Sequence, residues 1–179
     1  GPRRKAQLLG INSGFNIVPI RGNIQTRIDK MTTENLDGLI VAKAALNRLK
    51  ISHPNIYKFS QEEMLPAAAQ GAIGIEVIEE NLEAETINLL QSINDNLTFK
   101  ATEIERTVVA ALQGNCLSPI SALCKISDQD VELKVRVSNQ KGSEVYDQKE
   151  IFKLDNKIEA LEGFIEKLIS NGAKTLIQK

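Results

Sequence analysis

Three apolar runs of strand-like character, Ile120–Ile126, Val131–Val137 and Glu144–Phe152, follow one another with only short polar breaks between them. The last two are joined by Gln140-Lys141-Gly142-Ser143, a turn-forming sequence, and connections this short permit hairpins but not parallel crossovers. A small antiparallel sheet is therefore predicted after Pro119. Behind it, residues 156–170 place Ile158, Leu161, Ile165, Leu168 and Ile169 on one helical stripe, and Asn171-Gly172 supplies the stop. That helix is expected to cover one face of the sheet.

Upstream the pattern changes. Helix-like stretches at 3–11, 24–30 and 43–49 alternate with strand-like runs at Asn16–Ile20 and Leu36–Ala42, the order expected of a parallel sheet covered on both sides. Residues 51–63 are polar and unpatterned and read as a linker. The small-residue stretch Ala67–Ala72 leads into a further predicted strand, Ile73–Val77, and two helices follow at 82–93 and 99–113, the second with Ile104, Val108, Ala111 and Leu112 on one face. The fold class is thus α/β followed by α+β: an incomplete α/β unit at 1–64, a crossing segment at 65–80, and an α+β unit with a three-stranded antiparallel sheet at 81–179.

With 179 residues, 42% of them hydrophobic, the chain can bury a core. Its 22 basic and 23 acidic residues cancel to −1, which argues against nucleic acid or an anionic membrane as partner. It holds neither a membrane-length apolar run nor a signal-peptide pattern, so it reads as soluble and cytoplasmic. Cys116 and Cys124 make no disulfide framework, and with the lone His53, to which no role falls, they make no metal site. Glu79-Glu80 reads as solvated face. The opening Gly1-Pro2-Arg3-Arg4, without an initiator Met, reads as part of a longer protein.

Two corners invite anions. Arg21-Gly22-Asn23-Ile24-Gln25-Thr26-Arg27 and Val41-Ala42-Lys43-Ala44-Ala45 each lie where a predicted strand gives way to a helix, and strand ends of one parallel sheet can share a crevice. Arg21 and Arg27, joined by Arg3 and Arg4, would suit a small ligand with several carboxylates or phosphates. The same spacing equally allows ordinary solvated arginines. A third candidate is Cys116, which follows Gly114-Asn115 at a helix-to-strand junction; both residues tolerate positive φ and so could present the thiol on a sharp bend. Composition alone favours an inert, half-buried cysteine at 116, and Cys124, inside a predicted strand, reads as core.

Taken in order, Arg3-Arg4, the Arg21–Arg27 block, Leu36–Ala42, Leu65-Pro66 through Gln70-Gly71-Ala72-Ile73-Gly74-Ile75-Glu76, and Glu105-Arg106 through Gly114-Asn115-Cys116-Leu117-Ser118-Pro119-Ile120 resemble the porphobilinogen deaminase family over essentially the whole chain. The resemblance implies a transferase that joins four porphobilinogen units into the linear tetrapyrrole hydroxymethylbilane in heme biosynthesis. It implies a dipyrromethane cofactor held by a thioether at Cys116, with Arg3, Arg4, Arg21, Arg27, Gln70, Gly71 and Ala72 around it, and Arg21, Arg27 and Arg48 toward substrate. It also implies that residues 1–64 belong to a periplasmic-binding-protein-like second domain and that 65–80 return to a first domain.

The first domain, with the family's catalytic aspartate, has no counterpart in these residues, so the chain by itself is expected to be inactive and to lack an assembled cofactor. The parent is expected to be a monomer. Asn115, Ser121, Ala45 and Ala69 stand where the family favours glycine. Two further readings stay open: a small-anion-binding regulatory module, and a structural piece whose strand edge at 73–77 pairs with another copy.

Overall fold

The computed structural model describes residues 1–78, 80 and 82–178, which leaves the reading of Glu79 as solvated face outside the described residues. Its elements are α1 (Pro2–Ile11), α2 (Ile24–Thr33), α3 (Lys43–Arg48), α4 (Ala84–Ile93), α5 (Asn96–Ala111), β1 (Ile120–Ser127), β2 (Asp130–Ser138), β3 (Val145–Lys153), a 3-10 turn (Leu154–Asn156), α6 (Lys157–Ser170) and α7 (Ala173–Leu176).

The three strands form one antiparallel sheet in the order β1-β2-β3, with Ile120 opposite Val137, Ile126 opposite Val131, and Val131 opposite Phe152. Alternation then sends Ile120, Ala122 and Cys124 of β1 and Val131, Leu133, Val135 and Val137 of β2 to one face, where all are buried. Helix α5 lays Ile104, Val108 and Leu112 on that face, and α6 and α7 close it with Phe164, Leu168, Ala173 and Leu176. Helix α5 starts earlier than its apolar spacing suggested because Asp95 caps it, its side chain accepting the Thr98 N–H at 2.7 Å.

The stripe of α6 is rotated from the expected one. Leu161, Phe164, Ile165 and Leu168, spaced i, i+3, i+4 and i+7, pack on the core, whereas Ile158 is 69% exposed and Ile169 40%. Those two isoleucines sit together on one flank of the stripe, and the aromatic ring lies within it.

The opposite face of the sheet is clasped by α1 and the chain at 62–65. Gln7 is buried; its side-chain oxygen accepts the Leu65 N–H at 2.8 Å and its amide donates to the Leu65 carbonyl at 3.0 Å and to Ser121 Oγ at 3.3 Å. Both backbone groups of Leu65 are thereby satisfied by one side chain. Arg136, paired across the strands with Ser121, donates to both carboxylate oxygens of Asp147 at 2.7 and 2.8 Å and to Gln7 Oε1 at 3.1 Å. The same guanidinium reaches the Glu62 and Glu63 carbonyls at 3.0 and 3.2 Å. In the β2–β3 turn Gly142 adopts φ +69°, and its missing Cβ leaves room for α1: a methyl there would overlap the Ala6 carbonyl oxygen and lie 2.9 Å from Gly10 N.

The parallel sheet expected in residues 1–64 does not form. Asn16–Ile20, Leu36–Ala42 and Ile73–Val77 pair with nothing among the described residues, and the sheet of β1–β3 is the sheet those residues contain. The physical reason is that a strand is made by its neighbour: apolar β-branched runs supply the preference, but the ladder bonds need a second strand. In the last of the three runs the side chains lack a partner as well, Ile73 being 89% exposed. Helix α4 likewise buries none of its side chains.

Candidate functional site

Helix α5 ends in a Schellman closure. The Gly114 N–H bonds the Val109 carbonyl at 2.9 Å and the Gln113 N–H the Ala110 carbonyl at 2.8 Å, with Gln113 left-handed at φ +56°. The positive φ thus falls on Gln113, one residue before the Gly114-Asn115 pair expected to carry it. Gly114 is required for another reason: a Cβ there would overlap Cδ1 of the fully buried Ile120. Asn115 then folds the next turn, its Oδ1 accepting the Leu117 N–H at 2.8 Å while its own N–H donates to Ser118 Oγ at 3.0 Å. Cys116 rides at the top of this turn with its thiol exposed, whereas Cys124 is buried on β1. Burial pushes the Cys124 thiol up to about 12, with the charge of Glu105 adding to it.

Because a left-handed glutamine costs about 1 kcal/mol more than a glycine there, Gln113→Gly is expected to raise stability by about that amount, read as a higher midpoint in urea.

The arginines separate into two groups. Arg3 extends from α1 to the Cys116 turn, donating from Nε to the Ile120 carbonyl and from Nη2 to the Ser118 carbonyl, the latter at 3.4 Å. Burial and then the charge of Arg4 lower its pKa, while Cys116 opposes the shift, so guanidinium and thiol lie within electrostatic reach of one another. Burial first, and then the charges of Arg4, Arg27 and Arg3, lower the pKa of the Gly1 amine.

Arg27 belongs to the second group. Gly22, Asn23, Ile24, Arg27, Ala45, Arg48 and Leu49 line a pocket of about 290 Å³, so the two corners meet in one crevice even though no strand leads into either. Asn23 caps α2 by accepting the Thr26 N–H at 2.8 Å, and Arg27 Nε donates to the Gly22 carbonyl at 2.7 Å. Gly22, at φ +124°, could not carry a side chain without coming within 2.8 Å of Thr26 Cγ2. Arg21 is exposed and outside the pocket lining; its carbonyl accepts Lys30 Nζ at 3.3 Å.

Gln70, Gly71 and Ala72 form an exposed turn, with Gln70 N–H on the Ala67 carbonyl at 3.1 Å and Ala72 N–H on Ala69 at 3.2 Å. Ala69 is left-handed at φ +58°, a conformation that glycine adopts more readily. The Ala69 N–H donates to Glu105 Oε2 at 2.6 Å, and the Cys124 N–H to Glu105 Oε1 at 2.7 Å. Burial raises the Glu105 pKa against the pull of these two bonds. Sequence reasoning quoted Glu105 only as part of a motif. The signal was its place at helical spacing from Ala101, Val108 and Leu112, which puts a carboxylate on the buried face of α5. Among the described residues no three acidic, His or Cys side chains gather as a metal site, and no helix is long and apolar enough to cross a membrane.

Comparison with known proteins supplies names for this arrangement. Residues 1–86 match the family model described as porphobilinogen deaminase, dipyromethane cofactor binding domain, and residues 99–163 match that of the porphobilinogen deaminase C-terminal domain. The porphobilinogen deaminase of Campylobacter lari is 33% identical over 99% of this chain, and that of Clostridium novyi 38% identical over 80% of it. The chain spans 57% of the length of the Campylobacter protein and 48% of the Clostridium one.

Proposed function

Because the chain belongs to the porphobilinogen deaminase family, we propose that its protein is a transferase that joins four porphobilinogen molecules into hydroxymethylbilane, releasing ammonia at each addition. The observation that carries this reading is the exposed Cys116 on a turn fixed by Asn115 and Ser118, with Arg3 donating to the Ser118 and Ile120 carbonyls that follow it. A thiol meant for covalent attachment needs access, and this turn offers it.

The donor set fits a dipyrromethane bearing carboxylate side chains. Cys116 would form the thioether, Arg4 and Arg27 would hold carboxylates, and exposed backbone at Gln70–Ala72 would line the same cleft. When bound, the cofactor supplies the pyrrole carbon to which the first substrate unit is joined. Arg3, spent on the Ser118 and Ile120 carbonyls, fixes the turn and contributes its charge. Arg27 and Arg48, across the pocket they both line, would bind the acetate and propionate groups of incoming porphobilinogen, with Arg21 at its rim; an arginine fork meets a carboxylate with two parallel bonds.

In this reading residues 1–64 belong to a periplasmic-binding-protein-like second domain, 65–80 cross to a first domain, and 81–179 form the attachment domain. The unpaired runs at 16–20, 36–42 and 73–77 support it, since each is an apolar strand sequence without a ladder. The protein acts in the cytoplasm, and the parent is monomeric. The exposed edge at Ile73–Val77 makes the chain self-associate, which light scattering over a concentration series would register. A regulatory anion-binding module would have no use for an exposed Cys116.

The test is intact mass after exposure to preformed hydroxymethylbilane. An adduct on the wild-type chain that disappears in Cys116→Ser supports the reading; an adduct that survives the substitution overturns it.

A further inference from the structure

Among the described residues Glu105 is the one buried acid, 5% exposed, and none of the ion pairs found among them includes it. A buried carboxylate is costly unless its oxygens are satisfied. Here they are satisfied by two backbone N–H groups from distant parts of the chain, Ala69 in the small-residue turn and Cys124 in β1. We propose that Glu105 is a positioning residue that holds the Ala67–Ala72 turn, and with it the backbone of Gln70, Gly71 and Ala72, in fixed register with the strand that leads out of the Cys116 turn. The inference rests on the cofactor cleft assigned above.

The chemistry of the side chain is selective. Two donors face it, so both of its terminal atoms must accept; glutamine would set an NH2 against one of the N–H groups, and alanine would leave both unpaired. The turn also needs an external hold. Ala69 is left-handed, a conformation that an alanine adopts at a cost, so without the bond from its N–H the turn gains by relaxing to another shape. Glu105 sits on α5, whose closing turn at Gly114 leads directly to Cys116, so helix, turn and strand are referred to one rigid element.

The experiment uses the 179-residue chain, with amide exchange followed by NMR and Cys116 alkylation by iodoacetamide followed with and without porphobilinogen. In Glu105→Gln the amides of Ala69, Gln70 and Ala72 are expected to exchange about tenfold faster or more while those of Leu133 and Val135 keep their wild-type rates. Porphobilinogen is expected to slow alkylation of the wild-type chain and to lose that protection in the variant, with the unprotected rate unchanged. Unchanged exchange at residues 69–72 together with full protection in Glu105→Gln overturns the proposal. If porphobilinogen protects neither chain, the substrate reading fails for this chain and exchange at residues 69–72 alone decides the positioning role. Adding Ala69→Gly to Glu105→Gln lets the turn hold its shape without the bond, so it is expected to restore slow exchange at Gln70 and Ala72; a double variant no slower than Glu105→Gln counts against the proposal. Should Glu105→Gln fail to fold, Glu105→Asp, whose shorter side chain cannot hold both N–H groups at once, takes its place, and wild-type exchange at residues 69–72 in that variant overturns the proposal.

Discussion

Gly142→Ala is expected to destabilise the chain by about 2–5 kcal/mol, the sum of a left-handed alanine and an overpacked contact. The added methyl would overlap the Ala6 carbonyl oxygen, and the atoms around it are backbone of α1, which cannot rotate away as a side-chain tip can. Relief requires α1 to lift from the β2–β3 turn. Helix α1 carries Gln7, which satisfies both backbone groups of Leu65, and Arg3, which holds the carbonyls of the Cys116 turn. The substitution should therefore loosen the site as well as the fold. Urea titration gives the stability loss, and iodoacetamide alkylation of Cys116 below the unfolding transition should change in the same variant. A midpoint within about 0.5 kcal/mol of wild type, the range of ordinary surface substitutions, would contradict the packing of α1 on this turn.

What could be read from the sequence follows how local each feature is. The antiparallel sheet was legible because each hairpin carries both partners in one short stretch of chain, from Val145 opposite Ser138 out to Lys153 opposite Asp130, and the turn at Gln140–Ser143 fixes which side chains face the core. The parallel strands were legible only as apolar runs. Their ladders depend on neighbours that residues 1–64 do not provide, so Asn16–Ile20 and Leu36–Ala42 have strand sequences without strand structure. The site divides in the same way. The meeting of the Gly22–Arg27 and Ala45–Arg48 corners was anticipated from two local signals. The long-range ties of Gln7 to Leu65, and of Glu105 to Ala69 and Cys124, were not, because side-chain bonds that span 58, 36 and 19 residues leave no periodic trace. Cys116 lies between these cases: the motif order pointed to it, but exposure and the Asn115 turn come from the fold.

The sharpest disagreement between pattern and packing lies in α6, and a pair of substitutions there separates them. A stripe drawn from the aliphatic residues alone includes Ile158 and Ile169 and omits Phe164; the structure has Phe164 fully buried and Ile158 69% exposed. Removing a buried phenylalanine side chain costs about 3–5 kcal/mol, from lost transfer energy plus the cavity that remains. Phe164→Ala should therefore lower the urea midpoint more than almost any other single change, because the ring sits against the sheet face lined by Leu133 and Val135 in one contiguous core. Ile158→Ala removes a side chain that water already surrounds and should fall within about 0.5 kcal/mol of wild type. If Ile158→Ala cost as much as Phe164→Ala, the helix would have to be turned by most of a quadrant about its axis. That rotation would take Phe164 out of the core and restore the stripe that spacing alone suggests.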